Sequence, residues 1–166
     1  MFKIMIVLGS KSDFPVTESG LNTLRELGIP FTLHVASAHR SPDYLHKLIH
    51  DFEAQGGSLY ICVAGKSAHL AGVVAAATSR PVIAVPVFSQ PTAGFDSLLS
   101  MSQMPSGVPV ATMGFGNTGF TNGCILAAQM LALADGTLYK TLQDQRRKQA
   151  ELVAADDKAA MIEFKG

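Results

Sequence analysis

Lys3-Ile4-Met5-Ile6-Val7-Leu8 runs straight into Gly9-Ser10-Lys11-Ser12-Asp13, and this junction of an apolar run with a small polar loop decides the fold. The run is rich in Ile and Val and is continuous rather than alternating. That pattern suits a buried strand of a parallel sheet covered on both faces. It recurs at Phe31–Ala36, Leu59–Ala64, Val82–Val87 and Pro109–Met113. Helix-compatible segments such as Phe14–Leu27 and Asp43–Gln55 lie between the runs. The first three runs end at Leu8, Ala36 and Ala64, a spacing of 28 residues. That is a βα unit rather than a sequence repeat. Alternating strands and helices predict a three-layer α/β/α sandwich around a five-stranded parallel sheet.

The whole chain fits this reading. Its 166 residues are the length of one domain, able to bury a core without disulfide or metal staples. Hydrophobic residues make up 48% and charged residues 16%, against roughly 25% charged in typical soluble domains. So little charge leaves little polar material for a surface, which predicts that part of it is buried against further copies of the chain. The 13 basic and 13 acidic residues cancel, and no basic stripe points to nucleic acid. No apolar stretch reaches the roughly 18 residues of a membrane span. Met1-Phe2-Lys3 has no signal-peptide layout, and Cys62 and Cys124 read as packing thiols, so a cytoplasmic location is expected. The tail from about Asp135 to Lys165 has helical periodicity, and its Gln145-Arg146-Arg147-Lys148 cluster reads as a solvated face.

Ligands of open α/β sheets bind outside the carboxyl ends of the strands, so the segment after each run matters most. Gly9–Asp13 can aim backbone N–H groups and serine hydroxyls at an anion. Asp13 would not favour a phosphate, so it either caps the helix or takes a sugar hydroxyl. Ser37-Ala38-His39-Arg40 follows the second run. Arg40 offers a rigid planar donor set for phosphate or carboxylate, although it could instead bridge helix carboxylates. His39 can exchange a proton near neutral pH.

Other motifs fall away. Gly65-Lys66-Ser67 echoes a Walker A loop, but Tyr60 stands where that motif needs glycine. It also hints at a nucleophile elbow, but the final glycine is missing and no histidine follows His69. Gly114-x-Gly116-x-x-Gly119 matches a dinucleotide fingerprint in letters only, because it follows the last strand; it reads as a turn of close approach. His46 and His50 share a helix face without a third ligand, and His34 lies within a strand, so no metal site is expected.

Taken in order, the loops resemble the N5-carboxyaminoimidazole ribonucleotide mutases, the PurE family of purine biosynthesis. The matching pieces are Gly9–Asp13, Ser37-Ala38-His39-Arg40-x-Pro42-Asp43 and Ala68-His69-Leu70. Further on come Pro81-Val82-x-x-Val85-Pro86-Val87, Asp96-Ser97-Leu98, Gln103-Met104-Pro105-x-Gly107-x-Pro109-Val110 and Gly116-x-x-Gly119-x-x-Asn122. The resemblance implies a single flavodoxin-like domain over residues 1–166, with its core to about 134 and an extended C-terminal helix over about 135–165. It implies a homo-octamer with active sites at subunit contacts, a nucleotide substrate, and neither metal nor organic cofactor. By resemblance, Ser10, Asp13 and Arg40 hold the ribose phosphate and His39 is the general acid/base. Ser37, Gly65, Lys66 and Ser67 join the substrate-binding set, and Ala68, His69 and Leu70 line the base and carboxylate pocket.

The implied reaction moves a carboxylate from an exocyclic nitrogen to C4 of aminoimidazole ribonucleotide. Protonating the nitrogen eases loss of CO2, and a base must later remove the C4 proton, so one histidine can serve both steps. A closed, mostly apolar pocket would retain the CO2. One departure bears on the carboxylate donor. Family mutases read Gly-Gly-Ala-Ala-His-Leu-Pro-Gly where this chain has Gly65-Lys66-Ser67-Ala68-His69-Leu70-Ala71-Gly72. A basic residue followed by Ser is closer to the branch that carboxylates aminoimidazole ribonucleotide directly with CO2. That branch carries Lys after the histidine, where this chain keeps Arg40. The mutase is therefore the leading expectation and the carboxylase, a lyase, the alternative. A non-catalytic nucleotide-binding paralogue is the reading from a different class.

Overall fold

The computed structural model describes residues 4–164. The chain divides into two compact units, Met1–Ala128 and Gln129–Gly166.

The first unit is built on five strands: β1 Ile4–Leu8, β2 Phe31–Val35, β3 Leu59–Gly65, β4 Val82–Val87 and β5 Ala111–Thr112. They form one parallel sheet in the order β2-β1-β3-β4-β5. This is the flavodoxin-like order. The chain first steps from β1 outward to β2, then crosses back to β3 and proceeds the other way. Adjacent connections therefore diverge between β1 and β3, and a crevice opens at their carboxyl ends. Register across this junction pairs Leu8 with Val35 on one side and Val63 on the other, so β1 and β2 end level while β3 runs on to Gly65.

Alternation along each strand assigns residues to the two faces. Met5, Val7, Tyr60, Cys62 and Ala84 share one core with Leu45, Ile49 and Phe52 of α2 (Pro42–Ala54). Leu70, Ala71 and Val74 of α3 (Leu70–Ala77) and Met101 of α4 (Phe95–Ser102) complete that layer. On the opposite face, Gly123 of α5 (Gly116–Ala132) packs against Ile83 and Val85. Gly20 of α1 (Glu18–Glu26) lies so close to Phe120 and Cys124 of α5 that a Cβ there would sit 2.4 Å from the Phe120 ring. The result is the expected α/β/α sandwich. Both cysteines are buried and free, and burial pushes each thiol up to about 12, which fits packing residues.

The expectation of five strands buried on both faces holds for β1, β3 and β4 and fails for the edges. β2 is only partly covered, with Val35 49% exposed, and β5 shrinks to two residues. Edge position leaves β2 without a second neighbour, and Pro109 has no N–H to offer a ladder. Lys3, assigned to the first run, lies outside the described residues. The expected helix over Phe14–Leu27 splits into a 3₁₀ turn at Lys11–Val16 and then α1. Pro15 accordingly sits inside the 3₁₀ turn and not in the first turn of α1.

In the second unit, α6 (Gly136–Glu163) is capped by Asp135, whose carboxylate accepts from the N–H groups of Thr137 and Leu138 at 3.0 Å each. Lys165, at the end of the expected helix, lies outside the described residues. Arg147 pairs with Asp144 at 3.0 Å along the exposed helix, as a solvated face would. Leu152, Val153 and Ile162 are also exposed on α6. Among the described residues no helix is long and apolar enough to cross a membrane.

Candidate active site

Four strand ends enclose a cavity of about 710 Å³. The loop after β1 contributes Gly9, Ser10, Ser12 and Asp13, and the loop after β2 contributes Ser37, Ala38, His39 and Arg40. The segment Ala64–Leu70 supplies the end of β3, and Val87, Phe88 and Ser89 the end of β4. Every site residue expected from sequence is therefore brought to one cavity. The glycine-rich turn after β5 does not line it. Instead Gly119 lies against the carbonyl of Gly114, so there the close approach is of backbone on backbone.

The β1 loop is a polar turn closed on itself. Ser10 Oγ accepts from Ser12 N–H at 3.3 Å, and Asp13 accepts from Ser10 N–H at 3.0 Å. The side chains of Ser10 and Asp13 each cap the other's backbone N–H in a capping box, so the capping reading of Asp13 is realised here, and its remaining lone pairs can still meet a hydroxyl. Asp13 is buried, and desolvation raises its pKa against the hydrogen bonds from Ser10 and Ser12, which lower it.

The β2 loop is locked by Ser41, which accepts from Ser37 N–H at 3.0 Å and donates to Ser37 O at 3.2 Å. Pro42 then starts α2, a position where its missing N–H costs nothing. This turn presents His39 and Arg40 to solvent. Arg40 reaches back across β1: its Nη2 lies 3.5 Å from Gly9 O and its Nε 3.5 Å from Ser37 Oγ. Among the described residues no carboxylate pairs with Arg40, which removes the helix-bridging alternative.

The contact that sequence reasoning missed joins the two histidines. His39 Nε2 lies 3.0 Å from His69 Nδ1, with the rings edge to face at 78°. One ring must donate and the other accept, so the pair shares a proton between two loops 30 residues apart. Among the described residues His39 Nδ1 and His69 Nε2 have no hydrogen-bond partner.

Lys66 turns the chain at the end of β3 with φ +58°. A left-handed backbone costs an L residue with a side chain about 1–2 kcal/mol, and glycine pays almost none of it. Ser12, Phe88 and Ser89 also line the cavity, although the sequence reading, which had Ser12 within its Gly9–Asp13 loop, did not single them out as site residues. The strand-end rule that singled out the other loops points to all three. In the single chain the cavity is open, with His39, Arg40, Lys66 and His69 all exposed, and not the closed, mostly apolar pocket expected. Among the described residues no cluster of three or more His, Cys, Asp or Glu is placed to hold a metal ion. His46 and His50 lie exposed on α2, with His50 beside Asp51.

Serine hydroxyls and a guanidinium on adjoining strand ends, with paired imidazoles beside them, form the kind of strand-end crevice in which α/β enzymes bind small molecules. The AIR carboxylase family model matches residues 3–152, and the chain belongs to that family. An N5-carboxyaminoimidazole ribonucleotide mutase from Methanocaldococcus jannaschii is 43% identical over 162 residues, covering 98% of this chain and 99% of the relative. The protein of the same name from Escherichia coli K12 is 42% identical, covering 91% of this chain and 89% of the relative. The crystal structure of Treponema denticola PurE superposes with a TM-score of 0.88 at 28% identity, covering 100% of both chains.

Proposed function

We propose that this protein is an isomerase of purine biosynthesis that converts N5-carboxyaminoimidazole ribonucleotide to 4-carboxyaminoimidazole ribonucleotide. The observation that carries the mechanism is the His39–His69 contact, set beside Arg40 and Ser10 on adjoining strand ends. Ser10, Ser37 and Arg40 take the ribose phosphate, and Asp13 takes a ribose hydroxyl from its place at the turn. Anchoring the phosphate away from the reacting atoms orients the base, and that orientation is what a protein contributes to an intramolecular transfer. His39 donates a proton to the exocyclic nitrogen as the N–C bond breaks and CO2 departs. C4 then attacks the CO2, and the neutral imidazole removes the C4 proton to restore aromaticity. His69 holds the His39 ring in place through the shared proton. Gly65, Lys66, Ser67, Ala68 and Leu70 line the base and carboxylate end. No step calls for a metal or organic cofactor.

Lys66-Ser67 favours a second reading, direct carboxylation of aminoimidazole ribonucleotide by CO2. Purified protein given the N-carboxylated nucleotide is expected to yield product, whereas aminoimidazole ribonucleotide with bicarbonate yields little. Product in the second mixture alone would sink the mutase reading.

The active assembly is an octamer in the cytoplasm. The open cavity with the exposed Phe88 on its β4 side, the exposed Phe95 of α4, and the uncovered apolar residues of α6 support burial against further copies. A neighbouring chain would close the cavity and keep CO2 from escaping. Light scattering at micromolar concentration is expected to give the mass of about eight chains of 17.5 kDa each. The mass of one chain would overturn shared active sites.

A further inference from the structure

We infer that Lys66 is the cation that recognises the carboxylate of the substrate, and that it sets the preference of this chain for carboxylated over uncarboxylated nucleotide. The inference rests on the proposed substrate, which carries two anionic groups, a phosphate and a carboxylate, at opposite ends.

Two basic side chains line the cavity, Arg40 and Lys66. Arg40 is tethered at the end nearest β1 and β2, within 3.5 Å of both Gly9 O and Ser37 Oγ. A phosphate held there leaves the second anion to the other end. Lys66 lines the cavity from the turn just after β3, three residues before the histidine whose ring meets His39. Among the described residues it makes no hydrogen bond or ion pair, so its ammonium is available to a ligand. Asp13, the acid of the cavity, is already engaged by Ser10 and Ser12 on the β1 loop.

The backbone gives an independent reason. At φ +58° the turn would be easier for glycine than for any residue with a side chain. A lysine here is therefore not required by the fold. A long cation held on a turn that disfavours it, at the carboxylate end of an open cavity, is explained by what it binds.

The test compares two nucleotides that differ only in the carboxylate. Calorimetric affinities are measured for 4-carboxyaminoimidazole ribonucleotide and for aminoimidazole ribonucleotide, on wild type, Lys66→Met and Lys66→Arg. Lys66→Met is expected to weaken the carboxylated nucleotide by about tenfold or more and to leave the uncarboxylated one within about twofold, with Lys66→Arg restoring most of the loss. Equal weakening of both nucleotides would assign Lys66 to the phosphate or to the fold and overturn the inference, as would no weakening of either. Should Lys66→Met fail to fold, Lys66→Gly carries the same comparison, because it removes the charge while relaxing the turn. A wild-type protein that binds neither nucleotide would instead remove the proposed function itself.

Discussion

His39→Asn is expected to cut turnover of N5-carboxyaminoimidazole ribonucleotide by about a thousandfold or more, while the affinity for aminoimidazole ribonucleotide stays within about threefold. The asparagine amide can fill much of the imidazole space and still meet His69, but it cannot give and retake a proton at neutral pH. Arg40 and the β1 loop are untouched, so phosphate anchoring persists. The Ser37–Ser41 lock that shapes the turn is made without the His39 side chain, so the fold persists as well. Single-turnover kinetics and calorimetry on the same preparation check both halves. A variant that retained a tenth of wild-type turnover would show that His39 is not the proton shuttle. It would also strengthen the case for His69 as the acting base.

Gly119→Ala is expected to cost about 3 kcal/mol or more and to lower the soluble yield. A Cβ at Gly119 would stand 1.7 Å from the carbonyl oxygen of Gly114 and 2.4 Å from its carbonyl carbon. Both are backbone atoms of the loop that brings β5 into α5, so no rotamer change relieves the clash. The loop or the first turn of α5 has to move, and Gly123, about one turn further along, ties that helix to Ile83 and Val85. Gly114→Ala is the control, because a Cβ there meets nothing within 4 Å. Denaturant midpoints for the two alanine variants should therefore separate widely. Coincident midpoints would show that the Gly114–Gly119 approach is not needed by the fold.

Much of the fold was legible because strand burial leaves a one-dimensional trace. Ile4–Leu8, Leu59–Gly65 and Val82–Val87 are apolar at successive positions since each faces a helix layer on both sides. The same rule overstated β2, since an edge strand can be apolar for reasons that lie outside its own chain. The site was legible in its parts. The residues that follow β1, β2 and β3 carry the serines, the arginine and the histidines, and strand ends are where parallel sheets bind ligands.

The sequence by itself determined the class of fold, the loops that make the cavity, and the residue types able to hold a phosphate and move a proton. Tertiary structure decided what those residues are to one another. His39 and His69 meet because β2 and β3 flank β1, an adjacency produced by strand order and invisible in a spacing of 30 residues. Asp13 became a cap through the hydrogen bond from Ser10, and Arg40 was freed from helix carboxylates by reaching across to Gly9. Lys66 changed from a departure in a motif to a side chain that lines the cavity from a left-handed turn. Local pattern records which groups leave water; only the folded backbone sets which of them come within hydrogen-bond reach.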